Sequence, residues 1–225
     1  MNLNRVIAID GPSGAGKSSV SRIVGRKLGF LHVDSGALYR IMTWQCLVAG
    51  VDMEDPEAIV AEARKVAIEC RPENGEIAYY VGGEAPGDRI RTPEINANAS
   101  KVARLKEVRD IVTALLRSMT KYGDLVVEGR DIQTAVFPDT PAKFFLTASA
   151  EARAARRHRE EVEKGIAGGG TDAVKASLLA RDKIDSERRY APLMKADGSI
   201  ERDSSNLDLD QVVETVMAAL PSDWK

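Results

Sequence analysis

The chain is 225 residues long, with 32 basic against 34 acidic side chains and a formal charge of −2, so it has no overall basic field for a polyanion such as DNA. At 44% hydrophobic and 29% charged it has the composition of a globular protein, one core domain with room for a small insertion. Cys46 and Cys70 show neither disulfide-framework nor zinc spacing, no apolar run is long enough to span a membrane, and the first residues lack a signal peptide's apolar core. The expectation is a cytoplasmic monomer with no membrane or nucleic-acid partner.

Val6-Ile7-Ala8-Ile9 is a short β-branched run ending at a glycine-rich turn, the pattern of a buried parallel strand. Residues 18–28 place Val20, Ile23, Val24 and Leu28 at helical spacing, and Gly29 stops the helix. Phe30-Leu31-His32-Val33 predicts a second strand, followed by a helix from Ser35 that carries Leu38, Ile41, Met42 and Trp44. Val66-Ala67-Ile68 and Ile77-Ala78-Tyr79-Tyr80-Val81, with turn signals at Pro72-Glu73-Asn74-Gly75 and Gly82-Gly83, predict a small antiparallel insertion. One helix holding Val102, Leu105, Val108, Ile111, Val112 and Leu115 then returns the chain to the core. Leu125-Val126-Val127 and Lys143-Phe144-Phe145-Leu146 read as two more buried strands, each followed by helix-compatible sequence. Gly168-Gly169-Gly170 reads as a flexible joint between two helices, and an acidic helix is expected over residues 207–220. Strands alternating with helices imply an open, mostly parallel sheet covered on both faces.

Gly11-Pro12-Ser13-Gly14-Ala15-Gly16-Lys17-Ser18 matches the phosphate-binding pattern GxxxxGK[ST] in its required context, after a strand and before a helix. Glycines let successive backbone N–H groups turn inward on an anion, and the helix that follows adds the positive end of its dipole. Lys17 supplies a mobile charge for the β- and γ-phosphates of a nucleoside triphosphate, and the Ser18 hydroxyl can ligate Mg²⁺, with Ser19 next to it in the nucleotide site; the loop alone does not choose between a switch GTPase, a motor ATPase and a kinase. No Asn-Lys-x-Asp segment reads guanine, and no long apolar strand ends in Asp-Glu as in a motor ATPase.

A second anion site is suggested by Asp34-Ser35-Gly36-Ala37-Leu38-Tyr39-Arg40, where a helix from Ser35 puts Ser35 and Tyr39 on one face with Arg40 beside them. Hydroxyl, phenol and guanidinium together suit a phosphate monoester. Glu128-Gly129-Arg130-Asp131 follows the third strand at the same sheet edge, where Arg130 can fork onto phosphate and Asp131 can accept from an exocyclic amine. An acceptor that is itself a phosphate needs no general base, and His32 and His158 lie outside every motif, the first as strand core and the second as surface.

These segments, with Ile90-Arg91-Thr92-Pro93-Glu94, Asn98-Ala99-Ser100-Lys101-Val102-Ala103, the run EGRDIQTAVFP from Glu128 and the run RDKIDSERRYAPL from Arg181, stand in the order of the bacterial cytidylate kinases, which the chain resembles from its first strand to its last helix. Adenylate and guanylate kinases share only the first segment. The resemblance implies a P-loop NTPase-like, three-layer α/β fold with a mostly parallel central sheet, a small antiparallel β insertion in the NMP-binding region and a short helical lid. It implies a single kinase domain with core 1–34, 102–150 and 190–225, the NMP-binding region 35–101 and the lid 151–189. The implied reaction moves the γ-phosphoryl of ATP to CMP or dCMP with Mg²⁺. Ser35, Tyr39, Arg40, Arg130 and Arg188 would then hold the acceptor phosphate, Ser100, Arg109 and Asp131 the cytosine edge, and Arg181 and Asp185 the ribose. Where the family often has Asp, this chain has Glu128.

Arg153, Arg156 and Arg157 recur at i, i+3, i+4 ahead of the glycine joint, as arginines of a closing lid would, and Arg157 joins Lys17, Arg130 and Arg188 as a candidate for neutralising charge during transfer. Competing readings are a P-loop kinase of uridylate, adenylate or shikimate, or a nucleotide-dependent switch or binding module. The Arg109/Asp131 pair favours a base that offers an amine beside a ring acceptor.

Overall fold

The computed structural model describes residues 4–163, 165 and 170–224. Among these, β1 (Val6–Asp10), β2 (Leu31–Asp34), β3 (Ile68–Glu73), β4 (Glu76–Val81), β5 (Leu125–Gly129), β6 (Ala142–Thr147) and β7 (Ile200–Asp203) form one sheet in the order β3-β4-β2-β5-β1-β6-β7. All neighbours pair in parallel except β3 with β4. The central strands are apolar without alternation because both of their faces are covered. Val6, Ala8, Val33, Leu125 and Val127 point to one core with residues of α2 (Ser35–Val48), α3 (Pro56–Ala63), α4 (Pro93–Ala103) and α5 (Lys106–Ser118). Ile7, Ile9, Val126, Phe144 and Leu146 point to the other, against α1 (Lys17–Leu28) and α8 (Leu209–Ala218). The result is the expected three layers with a mostly parallel sheet.

The insertion is a hairpin that turns at Asn74 and Gly75, both at positive φ, and β4 joins the central sheet beside β2 at His32↔Glu76. The pair is antiparallel, as expected, and through β4 it extends the central sheet. The single helix expected through Val102 and Leu115 is two: Leu105 is extended, with ψ of 125°, and starts α5 after α4 has ended. No glycine or proline marks this break; the Arg109 side chain stabilises it by donating to the Ala103 carbonyl at the end of α4, at 2.9 Å. The helices α3, opened by Asp55 and Pro56, and the edge strand β7 were not anticipated. The helices α6 (Ala150–Glu163) and α7 (Thr171–Glu187) pack on each other, and α7 also meets α4; of the expected glycine joint, Gly168 and Gly169 fall outside the described residues and Gly170 precedes α7. Three chain segments leave the carboxyl ends of β1, β2 and β5 side by side, the usual ligand edge of an open α/β sheet.

Candidate active site

The first of these segments is the loop 11–16. Gly11 has φ of 148°, and a Cβ there would lie 1.9 Å from the Leu146 carbonyl oxygen, so only glycine lets β1 turn this tightly against β6. Gly16 is left-handed, with φ of 89°, and caps α1 without a side chain, leaving the first N–H groups of the helix turned toward the loop. Lys17 is buried and its ammonium donates to the Pro12 carbonyl at 2.8 Å. Burial first, and Arg130 second, lower it to about 7 against the pull of Glu128, Asp10 and Asp182. Ser18 is partly buried in the first turn of α1, whereas Ser19 is exposed.

Two buried carboxylates stand beside this loop. Asp10 ends β1, and its two oxygens accept the N–H groups of Ile132 and Gln133 at 3.0 and 2.9 Å, which pins the single π-helical turn Ile132–Val136 beyond β5. Burial raises Asp10 to about 6, with Asp131 adding to the rise and the two N–H groups opposing it. Glu128 is the penultimate residue of β5, and its Oε1 lies 3.2 Å from His32 Nε2. The other ring nitrogen of His32 faces Glu76 Oε2 at 3.4 Å, and Glu76 in turn holds Arg22 of α1 at 2.9 Å. His32 is therefore buried as expected, yet it bridges two acids instead of packing as bland core. His158 is half-buried, with its Nδ1 unpartnered, and not simply surface. Sequence offered a signal for both acids, since each is the charged last polar residue of an apolar strand.

The second anion site is assembled from five elements. Ser35 opens α2 and donates to the Glu128 carbonyl at 2.6 Å, docking that helix on the end of β5. Tyr39 lies one turn on, with the Arg109 guanidinium 5.4 Å from its ring centre and burial holding its phenol neutral. Arg40 donates to Asp34 at 2.8 Å. Burial pushes Asp34 up, but Arg40, Arg91 and His32 outweigh it and hold the carboxyl at about 2. Ser100 is buried on α4, and Arg109 of α5 is buried against Asp131. Arg130 donates to Asp185 at 3.2 Å, and Arg188, just past the end of α7, lies 3.4 Å from Asp131 and 3.7 Å from Asp185. Arg188 Nε is anchored on the Ala191 carbonyl at 2.7 Å.

This cluster is over-supplied with cations. Arg40 Nε, Arg181 Nε and Arg188 Nη2 are buried and make no hydrogen bond. Burial and then Arg130 lower Arg181 to about 10, and burial and then Arg109 lower Arg188. Buried donors without acceptors cost roughly 1–3 kcal/mol each, so an anion that meets them recovers that cost. Tyr39, Arg109, Asp131, Arg130, Asp185, Arg188 and Arg181 are thus linked in one cluster, with Arg40 reaching it through its charge, whereas Ser100 is buried on α4 without a contact among the described residues that ties it to them. Arg157 is not brought onto the loop: it pairs with Glu160 and Glu161 of its own helix at 3.3 and 3.0 Å, although its charge reaches Arg181. Arg153 and Arg156, expected with it as mobile arginines, are already bound, Arg153 to Ser13 and Arg156 to Ser204. Among the described residues no group of three or more His, Cys, Asp or Glu side chains could cage a metal by itself. Ser18 and the carboxylates of Asp10 and Glu128 are oxygen groups beside the loop, and Asp10 is already taken up by two backbone N–H groups, which leaves a set few enough to suit an ion that keeps its waters and is shared with phosphates.

The family model described as cytidylate kinase matches residues 7–222. A curated cytidylate kinase of Streptomyces griseus is 45% identical over 214 residues, covering 94% of this chain and 90% of its own. One from Shouchella clausii is 41% identical over 211 residues, covering 94% and 93%. A solved structure of an uncharacterised protein from Eubacterium ventriosum superposes with a TM-score of 0.51 at 13% identity, covering 96% of this chain and 97% of its own, a likeness of fold alone.

Proposed function

The chain belongs to the cytidylate kinase family, and from that membership and the cleft we infer that it transfers the γ-phosphoryl group of ATP to CMP or dCMP. The observation that carries the reading is that Arg40 and Arg188 each keep a buried guanidinium nitrogen without a hydrogen bond, while Arg130, which shares Asp185 with Arg188, reaches Lys17 of the P-loop with its charge. The acceptor phosphate is mostly dianionic at neutral pH, its second pKa being about 6, so it attacks without a general base. What remains is to bring two anions together in line through a loose, charge-spreading transition state. The loop amides and Lys17 hold the triphosphate, while Ser18 and Glu128 would hold a Mg²⁺ ion, which would supply further neutralisation of the phosphate charge. Arg40, Arg130 and Arg188 hold the acceptor phosphate with Ser35 and Tyr39, and Arg181 and Asp185 hold the ribose. Arg157 is the cation left to reach the transferring group from α6, once it leaves Glu160 and Glu161. The region 35–101 then presents the acceptor, residues 151–189 cover the donor, and the rest is the core.

Base choice falls to Arg109 and Asp131. Asp131 can only accept and Arg109 can only donate, which matches the amine and adjacent ring acceptor of cytosine and opposes uracil. Asp131 is held by Arg109 on one oxygen and approached by Arg188 on the other, which orients the carboxylate while leaving lone pairs for a base. A coupled ADP-release assay over CMP, dCMP, UMP, AMP and cytidine tests the whole reading. CMP is expected to exceed UMP in kcat/KM by at least about tenfold to a hundredfold, since one mismatched buried polar contact costs roughly 1–3 kcal/mol. Asp131→Asn should narrow that ratio, chiefly by weakening CMP. An unchanged ratio would remove Asp131 from base reading.

A further inference from the structure

Helix α7 carries two sets of polar side chains. Arg181 and Asp185, four apart, turn to the acceptor cluster, where Asp185 meets Arg130. Asp182, one position on, turns to the donor loop: its Oδ1 accepts the Ser13 N–H at 3.0 Å. Its Oδ2 pairs with Arg153 of α6. The same Arg153 Nη1 donates to the Ser13 carbonyl at 3.0 Å, and its Nε donates to the Ala148 carbonyl at 3.1 Å. Both backbone groups of Ser13 are thus held from outside the loop, by an ion pair whose side chains are only 7% and 14% exposed. The backbone of α6 also presses on the loop directly, since a Cβ on Gly14 would lie 3.1 Å from Arg153 Cβ and 3.2 Å from its carbonyl oxygen.

We propose that Asp182, acting with Arg153, is a positioning residue that sets the spacing between the donor loop and the acceptor clamp. The proposal rests on the transfer reading above. The physical reason is that α7 is one continuous helix with the loop tied to one face and the acceptor residues fixed to the adjacent face. Shifting Ser13 relative to Asp182 shifts the γ-phosphoryl relative to the acceptor oxygen, and misplacement by about 1 Å costs on the order of a hundredfold in rate. A charge-assisted clamp at this level of burial holds its geometry far better than an exposed pair. Arg40, Arg130 and Arg188 are assigned to phosphate; Arg153 is spent on the loop backbone.

Asp182→Asn keeps the shape and an acceptor for the Ser13 N–H but removes the ion pair. With CMP and ATP present, product CDP and released inorganic phosphate are measured together, so transfer is compared with loss of the phosphoryl group to water. The expected result is a fall of about tenfold to a hundredfold in kcat for transfer, with hydrolysis rising as a share of turnover. A purely structural role would lower both products in proportion, and that outcome, or a wild-type kcat, would overturn the proposal. If Asp182→Asn shows no melting transition, Arg153→Lys decides: its transfer-to-hydrolysis ratio should fall in the same direction, and an unchanged ratio overturns the proposal. A wild-type protein that leaves CMP unphosphorylated would instead overturn the acceptor assignment, and the same ratio is then read on whichever acceptor the panel selects.

Discussion

The donor loop is one contiguous run, residues 11–18, whose anion-binding groups are mainly backbone amides. The acceptor cluster draws on α2, α4, α5, the turn after β5 and α7, and its groups are side chains. The difference shows in the energetics. Backbone amides at a helix start are preorganised and neutral, so the loop stands without its ligand at little cost. The arginine cluster is held together against its own repulsion, with Arg181 and Arg188 lowered by burial and by neighbouring cations. A site of the first kind can be written in a short motif, whereas one of the second kind exists only after folding.

The largest test of this contrast is Lys17→Ala. Lys17 is the one buried side-chain cation of the donor loop, and its removal should lower kcat by about 10²–10³-fold or more, the loss of a few kcal/mol of transition-state stabilisation. Because burial has already lowered its ammonium to about 7, the thermal midpoint should hold steady or rise. A near-normal kcat would mean the loop is not the donor site. Next in size is Arg188→Lys, expected to lower kcat/KM for CMP about tenfold to a hundredfold, because a point charge cannot reproduce a planar fork whose Nε is already anchored on Ala191. If the two sides differ as described, this loss should fall on the KM for CMP and leave that for ATP nearly unchanged; equal shifts in both would erase the distinction.

The smallest effect compares the carboxylates that end β1 and β2. Asp34 on the acceptor side is held at about 2, below its ordinary 3.8, so its contribution is fully present above about pH 4 and is lost as pH falls toward 2. The stability difference between wild type and Asp34→Asn in urea should therefore shrink, by up to about 2 kcal/mol, as pH drops through that window. Asp10 on the donor side sits at about 6, above its ordinary 3.8, so the folded state holds the extra proton and its contribution grows as pH falls from about 6 to about 4. The difference between wild type and Asp10→Asn should move the opposite way. Slopes of the same sign for both variants would contradict the contrast between the two strand ends.

Much of the core was legible in the chain. Val6 to Ile9 and Leu125 to Val127 are apolar on both faces because helices cover both, and Gly29, at φ of 70°, ends α1 where its pattern runs out. The break between α4 and α5 was not legible: Arg104 and Leu105 continue an unbroken helical pattern, and only Arg109, reaching back to Ala103 while paired with Asp131, gives the kink its partners. The i, i+3, i+4 arginines of α6 showed the same limit. Their spacing places them on one helix face, but Arg153 goes to Ser13, Arg156 to Ser204 and Arg157 to acids of its own helix.

By itself the chain determined the phosphate loop, the doubly covered parallel sheet and the family, because each rests on local backbone geometry, on periodicity or on ordered motifs. Only the tertiary structure decided which arginines are free to meet an anion and which are spent. It also decided that His32 bridges Glu128 to Glu76, and that Asp182 faces the loop while Arg181 and Asp185 face the acceptor cluster. Those outcomes depend on distances of a few ångströms between residues far apart in the chain, and the strength of a charge contact is set by burial, which no local pattern encodes.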